Sequence, residues 1–419
     1  MSRYRKDMIS WAMYDWANSA FATTVMAGFF PVFFKLVLSK DVDPTTSTAR
    51  LGLAVSASSL LIAIISPFLG VLSDLRGLKK KLTLWFMLLS IVGCILLSFL
   101  EEGQWLAGAW IYGIAFLGFN ASCVFYDSLL PSVAGNEESD FVSGLGYGLG
   151  YLGGGVLLTI NVLMMTFPEF FHLSNSLSAV RASFVSVAIW WLVFSIPFFR
   201  YVQEPQLRIH IHFGPAFRQS FFAVLKTWRN LIGPHRNIGL FLLAYWLFID
   251  GVYTVMTMAV DYGIALGFSS ENLIAALLIT QFIGFPFALL FSKLSKSFGS
   301  KSLIQFALLI YSVTVVASLQ MSQVWHFYLL ACMIGMVQGG VQALSRSLFA
   351  RMIPASHSGE LFGFFNLVGK FASILGPLIV GLGAWITGSS SLGMVGLLIL
   401  FIAGAGLLAF VKEPAVQET

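Results

Sequence analysis

Charged residues are scarce in this chain of 419 residues: Asp, Glu, Lys and Arg make up 10%, and hydrophobic residues make up 58%. Mean hydropathy is +0.85. The apolar stretches are too long for the buried core helices of a globular domain. The composition therefore excludes a soluble multi-domain protein.

Sequence signals for chemistry are also missing. The chain has no G-x-x-x-x-G-K-[ST] nucleotide loop and no recognisable catalytic set, which argues against a primary pump and against an enzyme. Cys94, Cys123 and Cys332 lie inside apolar runs, so we expect small hydrophobic side chains rather than a disulfide set or a metal site. We expect no cofactor, no metal and no nucleic-acid partner. The first apolar segment lacks a small-x-small cleavage site, so we expect it to be retained.

Long apolar runs follow one another along the whole chain. A spanning helix needs about 20 mostly apolar residues, and continuous rather than alternating hydrophobicity excludes a transmembrane β-barrel. We predict an all-α membrane protein with twelve spans, numbered 1 to 12. Their expected limits are 9–38, 51–73, 81–100, 104–127, 141–166, 180–200, 237–262, 269–293, 300–320, 324–349, 360–386 and 391–411.

Basic residues gather in alternate loops, which predicts the orientation. If successive spans cross the membrane in alternate directions, most of the cations lie on one side of it. The positive-inside rule identifies that side as the cytoplasm, and both termini lie there. The acidic loop 136–140 is the exception on that side. We expect a multi-pass protein, in the inner membrane if the source is bacterial. The cations of this side include Arg3, Arg5, Lys6, Arg76, Lys79, Lys80, Lys81, Lys293, Lys296, Lys301 and Lys412.

One long polar connection divides the chain into residues 1–200, a linker of 201–236, and residues 237–419. In the linker, Phe213–Trp228 could form an amphipathic helix at the anionic inner leaflet. The two parts of six spans repeat weakly. Trp11-x-x-x-Asp15 is echoed by Trp246-x-x-x-Asp250, and residues 128–144 align without gaps on 347–363, which puts Asp127 opposite Arg346. Duplicated halves in a transporter usually enclose a midplane site.

Two motifs resemble a known family. Twelve spans in two halves, with the run Gly70–Lys80 between spans 2 and 3, resemble the major facilitator superfamily. Gly70, Asp74 and Gly77 fit its signature, whereas Leu75 and Leu78 stand where basic residues are usual. The resemblance implies two pseudo-symmetric six-helix halves and a gating role for Asp74.

The run Trp11–Phe21 is similar to the opening of the vacuole-effluxer-like branch of that superfamily. This branch includes fungal vacuolar amino-acid exporters and uncharacterised bacterial permeases. The resemblance implies a proton-linked or facilitated solute exporter.

Ionisable residues inside spans are the first candidates for a site, because charge in the bilayer is costly by at least a few kcal/mol. Asp15 either binds a cation or a proton, or acts as a structural cap. Asp250 lies about 20 Å into span 7 at 1.5 Å per residue, and is read as a site residue or as a packing hydrogen bond. Lys370 lies about 15 Å into span 11 with Asn366 on the same face. It is read as a substrate ligand or as the partner of Asp250.

Other candidates are polar positions and charges near span ends. Asn18, Tyr126 and Gln338 are expected to line the pathway or to join helices. The charges near the cytoplasmic ends are expected to form pairs that open and close with transport, or static solvated pairs. These gating candidates are Asp74, Arg76, Asp127, Arg346 and Arg351.

We therefore expect a monomeric transporter that moves a small solute by alternating access. An amino acid, another small zwitterion or an organic anion is the expected substrate, with protons as a possible coupling ion and the lipid bilayer as the surroundings. The alternative is an exporter of amphipathic or drug-like molecules. A membrane receptor or scaffold is less favoured, since the chain has no large extramembrane domain.

Overall fold

A computed structural model describes residues 3–42, 44–204, 222, 224–227, 229–265, 267–372, 375–387 and 390–414. Among these residues, 11 helices are long and apolar enough to cross a membrane. The predicted all-α membrane fold is confirmed. The main helices of spans 1 to 12 are Arg3–Ala20, Pro44–Arg76, Lys79–Leu97, Trp105–Asp127, Ser139–Thr166, Ser176–Phe194, Arg236–Ala265, Ser270–Phe298, Ser300–Ser318, Val324–Met352, Ser358–Phe371 and Leu397–Phe410.

Several spans include additional helical pieces. Span 1 continues through Phe21–Phe29, Phe30–Phe33 and Phe34–Leu38, of which the first and last are π-helical. Span 6 continues as Ile196–Tyr201, and span 12 is preceded by Ser390–Val395. Shorter helical turns are Leu130–Val133, Pro168–Phe171 and Ala355–His357.

Span 11 is built from two helices. Ser358–Phe371 is followed by Leu375–Thr387, and residues 373 and 374 lie outside the described residues. Pro377 stands near the start of the second helix, where a missing N–H is tolerated but the interior of a continuous helix would be disrupted. This division explains why span 11 is not among the 11 helices of the described residues that are long and apolar enough to cross a membrane.

Matching turns follow spans 2 and 8. Gly77 has φ +61° and Gly299 has φ +79°, a region that favours glycine because it has no Cβ. The backbone requirement therefore explains why glycine occurs at both.

The halves meet along a few helix pairs. Span 2 packs on span 11, and span 5 packs on spans 8 and 10. We call the end of the bundle where span 1 begins and span 12 ends the termini face. Most of the predicted linker helix Phe213–Trp228 lies outside the described residues, and its described residues 224–227 are helical.

Candidate functional site

A buried arginine of the second half is surrounded by acidic and polar groups of the first half. Arg346 on span 10 keeps 3% of its side chain exposed. Its Nη2 lies 3.0 Å from Oδ2 of Asp15, and its Nη1 lies 2.9 Å from Oδ1 of Asp127. Nε and Nη2 donate to the hydroxyl and the carbonyl oxygen of Ser143 at 2.9 and 3.0 Å. We call these four residues the Arg346 cluster, which joins spans 1, 4 and 5 to span 10.

Aromatic rings fix the position of this guanidinium. Its Cζ lies 4.2 Å from the ring centroid of Tyr147, 4.8 Å from that of Trp11 and 5.7 Å from that of Tyr126. Tyr126 Oη donates to Oδ2 of Asp15 at 3.0 Å, and Trp11 Nε1 donates to the carbonyl oxygen of Tyr126 at 3.1 Å. Cation–π attraction is stronger when the partners are desolvated, so the rings add to the ion pairs.

Gly146 makes room for the cluster. A Cβ at this position on span 5 would lie 2.4 Å from Oδ2 of Asp15 and 2.9 Å from Nη2 of Arg346. Those two atoms form the ion pair itself. The pair therefore crosses directly over the backbone of span 5, and any side chain here would push it apart.

A second ionic cluster lies nearer the termini face, where Arg351 is five residues, or about 7.5 Å, beyond Arg346 along span 10. Arg351 Nη1 lies 3.1 Å from Oδ2 of Asp140 at the start of span 5, and its Nη2 lies 2.9 Å from Oε1 of Glu413. Ser300 and Ser347 donate their hydroxyls to Asp140. Of the acidic residues in loop 136–140, Asp140 is therefore bound by the second half, whereas Glu137 and Glu138 are exposed.

Asp74 makes a third contact between the halves. Its Oδ1 and Oδ2 accept from the backbone N–H groups of Gly359 and Glu360, each at 2.9 Å. These amides belong to the first turn of span 11, where unpaired N–H groups favour an anion. Lys79 Nζ lies 2.8 Å from Oδ1 of Asp74 and donates to Ser358 at 2.7 Å.

Two glutamates repeat one capping arrangement in the two halves. Glu204, after span 6, accepts from the N–H groups of Lys79 and Lys80 at 2.7 and 3.1 Å. Glu413, after span 12, accepts from Ser300 and Lys301 at 3.1 and 3.4 Å. Glu204 therefore caps the N-terminus of span 3, and Glu413 caps the N-terminus of span 9. Glu413 also binds Arg351, which pairs with Asp140 of the first half. The cap of span 9 is therefore linked to a contact between the halves.

Asp250 is fully buried and caps the second helix of span 11. Its Oδ2 and Oδ1 accept from the N–H groups of Leu375 and Gly376 at 3.0 and 2.9 Å, and Thr254 donates at 3.4 Å. Both carboxylate oxygens are therefore occupied by backbone amides. This contact matches the packing reading of Asp250 rather than an open ligand site.

The remaining predicted residues lie apart from these contacts or only partly in the described structure. Asn18 is buried on span 1, and its Nδ2 lies 3.7 Å from Sγ of Cys123. Gln338 is buried on span 10. Asn366 donates to a carbonyl oxygen within its own helix. The backbone of Lys370 is helical, but its side chain lies outside the described residues.

Arg76 is exposed at the end of span 2. Of the gating candidates, the structure therefore places Asp127 against Arg346, and it gives Asp74 and Arg351 separate partners across the halves.

Sequence reasoning missed Asp140, Ser143, Gly146, Glu204 and Glu413. For the two glutamates a signal was present: Val202-Gln203-Glu204-Pro205 and Val411-Lys412-Glu413-Pro414 share the pattern V-x-E-P at the ends of the two halves. For the others, nothing local in the sequence distinguishes them from ordinary turn and helix residues.

Solved structures with a similar fold are transporters. The human organic anion transporter MFSD10 aligns with a TM-score of 0.73 at 15% identity, covering 97% of this chain and 100% of that chain. The major facilitator transporter FucP in its outward conformation aligns with a TM-score of 0.69 at 12% identity, covering 99% and 100%. The fold is that of major facilitator superfamily transporters, in two six-helix halves.

Sequence comparison gives the family. The model described as "Vacuole effluxer Atg22 like" matches residues 43–416, and the chain belongs to this family of transporters. The uncharacterised MFS-type transporter YxiO of Bacillus subtilis is 37% identical over 416 residues, which is 99% of this chain and 96% of that protein. Autophagy-related protein 22 of Coccidioides immitis is 22% identical over 503 residues, covering 90% of this chain and 81% of that protein.

Proposed function

We propose that this transporter exports a small solute from the cytoplasm by alternating access, with a site between the halves that opens to one side at a time. The observation that carries the proposal is the Arg346 cluster. It places a buried cation of the second half between two carboxylates of the first. These bonds join the halves, and they must separate before the termini face can open.

The termini face is proposed to be the cytoplasmic side. Exposed lysines at this end, including Lys81, Lys293 and Lys296, support this orientation by the positive-inside rule. Contacts of Asp74, Asp140 and the Arg346 cluster all join the halves at this end. The described conformation is then closed toward the cytoplasm.

Protons are proposed to drive the cycle through Asp15 and Asp127. Removing one partner of a buried ion pair typically costs about 3–5 kcal/mol, because the other charge is left unpaired. Protonation removes the charge of a carboxylate, and so weakens its hold on Arg346 without leaving a new anion in the protein. A proton that arrives from outside therefore favours opening toward the cytoplasm.

The proposed substrate is an amino acid or a similar small zwitterion. Carboxylates of the Arg346 cluster supply negative charge on one side of the pathway, and Lys370 of span 11 is the proposed positive partner. Membership of the vacuole effluxer family supports the transport of a small solute. Asp250 is not used as a ligand here, because backbone amides occupy both of its oxygens.

Transport by purified protein in liposomes tests this proposal. We expect counterflow of labelled amino acids, and net flux that increases when the compartment facing the non-termini side is acidified. Asp127→Asn should keep exchange but lose the response to the pH gradient, and Arg346→Gln should reduce flux at least tenfold. Lys40→Gln is the control, because Lys40 pairs with Glu102 at an exposed site on the opposite face.

Two outcomes would contradict the proposal. Flux that is equally sensitive to the pH gradient in Asp127→Asn would remove this carboxylate from proton coupling. A broad profile of apolar substrates that survives Lys370→Ala would replace the zwitterion by amphipathic solutes.

A further inference from the structure

Glu360, in the first turn of span 11, has a buried carboxylate that takes no part in the contacts between the halves described above. The residue is 4% exposed, and its Oε1 accepts no hydrogen bond from the residues that the structure describes. A buried acceptor without a donor is costly, and more so when it is charged. A bound proton removes the charge and turns the group from an acceptor into a donor.

The neighbouring ion pair does not compensate this carboxylate. Asp74 accepts from the backbone N–H of Glu360 at 2.9 Å, and its charge opposes ionisation of the Glu360 side chain. Lys79 is already engaged, because its Nζ lies 2.8 Å from Oδ1 of Asp74 and donates to Ser358 at 2.7 Å. His357 in the preceding turn is exposed, so water screens its effect. Two carboxylates therefore share one buried ammonium at this point.

The other elements packed around this helix do not supply a buried cation from their described residues. Span 4 ends at Asp127, which is bound within the Arg346 cluster. Cations of spans 2 and 7 and of the linker at this end are exposed, and solvent screens exposed charges. These cations are Arg76, Lys226, Arg229 and Arg236.

The linker between the halves contacts the same carboxylate. The hydroxyl of Thr227 hydrogen-bonds to Glu360, and Val224, three residues earlier, packs against the buried core. Spans 2 and 11 cross closely beside it, since a Cβ at Gly70 would lie 2.2 Å from the carbonyl oxygen of Gly359. Glu360 therefore lies where the two halves and the linker meet.

We propose that Glu360 is a proton-binding site through which the pH on the termini side controls the closed face. The closed form buries Glu360 beside Asp74 and favours the protonated carboxyl group. Opening separates span 2 from span 11, admits water and favours the carboxylate. By linkage, protons stabilise the closed form, and a rise in pH on this side favours opening.

This effect has the opposite sign to protonation of Asp15 or Asp127, which weakens the bonds of the closed face. Its consequence for transport rests on the proposed function, in which protons enter the cytoplasm as solute leaves. An acidic cytoplasm would then hold the termini face closed, and protons that accumulate there would slow their own entry.

Distances across the termini face test the proposal in lipid nanodiscs. Spin labels at the exposed positions Lys81 and Lys293 report the ratio of open to closed forms by double electron–electron resonance, over about pH 5 to 9. Glu360 should add to this ratio a rise with pH of up to about tenfold per unit. Glu360→Gln should lose that rise and stay closed at alkaline pH, because an amide does not ionise. All other titratable groups are present in both proteins, so the difference between the two pH series isolates Glu360.

Two further variants control for structure. Glu360→Asp keeps an ionisable carboxyl group and should keep the pH dependence. Glu138→Gln removes an exposed carboxylate beside the start of span 5 on the same face, and should behave as the wild type. Parallel pH series in the wild type and Glu360→Gln would overturn the proposal, as would a Glu360→Gln protein that is more open than the wild type at alkaline pH.

The distances are measured without transport, so the two proposals can fail separately. Flux in liposomes together with parallel pH series would overturn the proton site at Glu360 and leave the proposed function intact. A pH series that depends on Glu360, without any flux in liposomes, would support the site and contradict the proposed function.

Discussion

Gly146→Ala should loosen the closed termini face although it adds only one methyl group. The new Cβ would lie 2.4 Å from Oδ2 of Asp15, whereas non-bonded heavy atoms prefer separations of about 3.5 Å. The oxygen must therefore move by about 1 Å. It accepts from Tyr126 Oη and Arg346 Nη2, both at 3.0 Å, and such a displacement takes at least one bond beyond hydrogen-bond distance.

The expected effect follows from that lost bond. A hydrogen bond to a charged group contributes about 1.5–3 kcal/mol, and each 1.4 kcal/mol is about tenfold in an equilibrium. The ratio of closed to open forms should therefore fall about 10- to 100-fold. Alanine is otherwise favoured over glycine within a helix, so helix propensity would predict no such loss.

The native thiol of Cys123 can report opening, because it lies one helical turn from Asp127 on the side away from the termini face. A membrane-impermeant maleimide is added from the termini side to vesicles of a Cys94→Ser, Cys332→Ser background, in which Cys123 is the remaining cysteine of the chain. Gly146→Ala should raise the alkylation rate about 10- to 100-fold. Gly406→Ala, where a Cβ would meet nothing within 4 Å, is the control. A wild-type rate in Gly146→Ala would show that the bonds to Oδ2 of Asp15 do not hold this face closed.

Three further substitutions test the other contacts. Asp140→Asn removes the charge opposite Arg351 and should raise the same alkylation rate, and an unchanged rate would mean that this pair does not hold the halves together. Glu413→Gln should lower the apparent melting temperature more than Glu204→Gln, because Glu413 binds Arg351 besides its cap; equal shifts would contradict this. Asp250→Ala should cost about 0.5–2 kcal/mol as a lost helix cap, measured by denaturation in detergent, with Asp250→Asn intermediate; stability equal to the wild type would contradict the capping role.

Much of the fold could be predicted because the bilayer imposes length and hydrophobicity on every spanning helix. The repeat also aligned Asp127 with Arg346, which lie in contact across the two halves. Residues at equivalent positions near a pseudo-twofold axis come close together, and weak internal similarity can therefore indicate contacts between distant segments.

Depth in the membrane was a poorer guide to the role of Asp250. Its position inside span 7 predicted that the carboxylate needs a partner. It did not predict that the backbone N–H groups of Leu375 and Gly376 are the partners. Pro377, inside the predicted span 11, was the sequence signal for a new helix start near this position. Asp140 and Gly146 could not be predicted at all, since their roles depend on which side chains of distant spans lie against them.

Distances between the halves at the termini face show directly whether the Arg346 cluster keeps this face closed. Spin labels at the exposed positions Lys81 and Lys293, one on each half, report separation at that face by double electron–electron resonance. We expect one dominant short distance in the wild type at neutral pH, and a second, longer population in Arg346→Gln. Identical distance distributions in the two proteins would show that the Arg346 cluster does not keep this face closed.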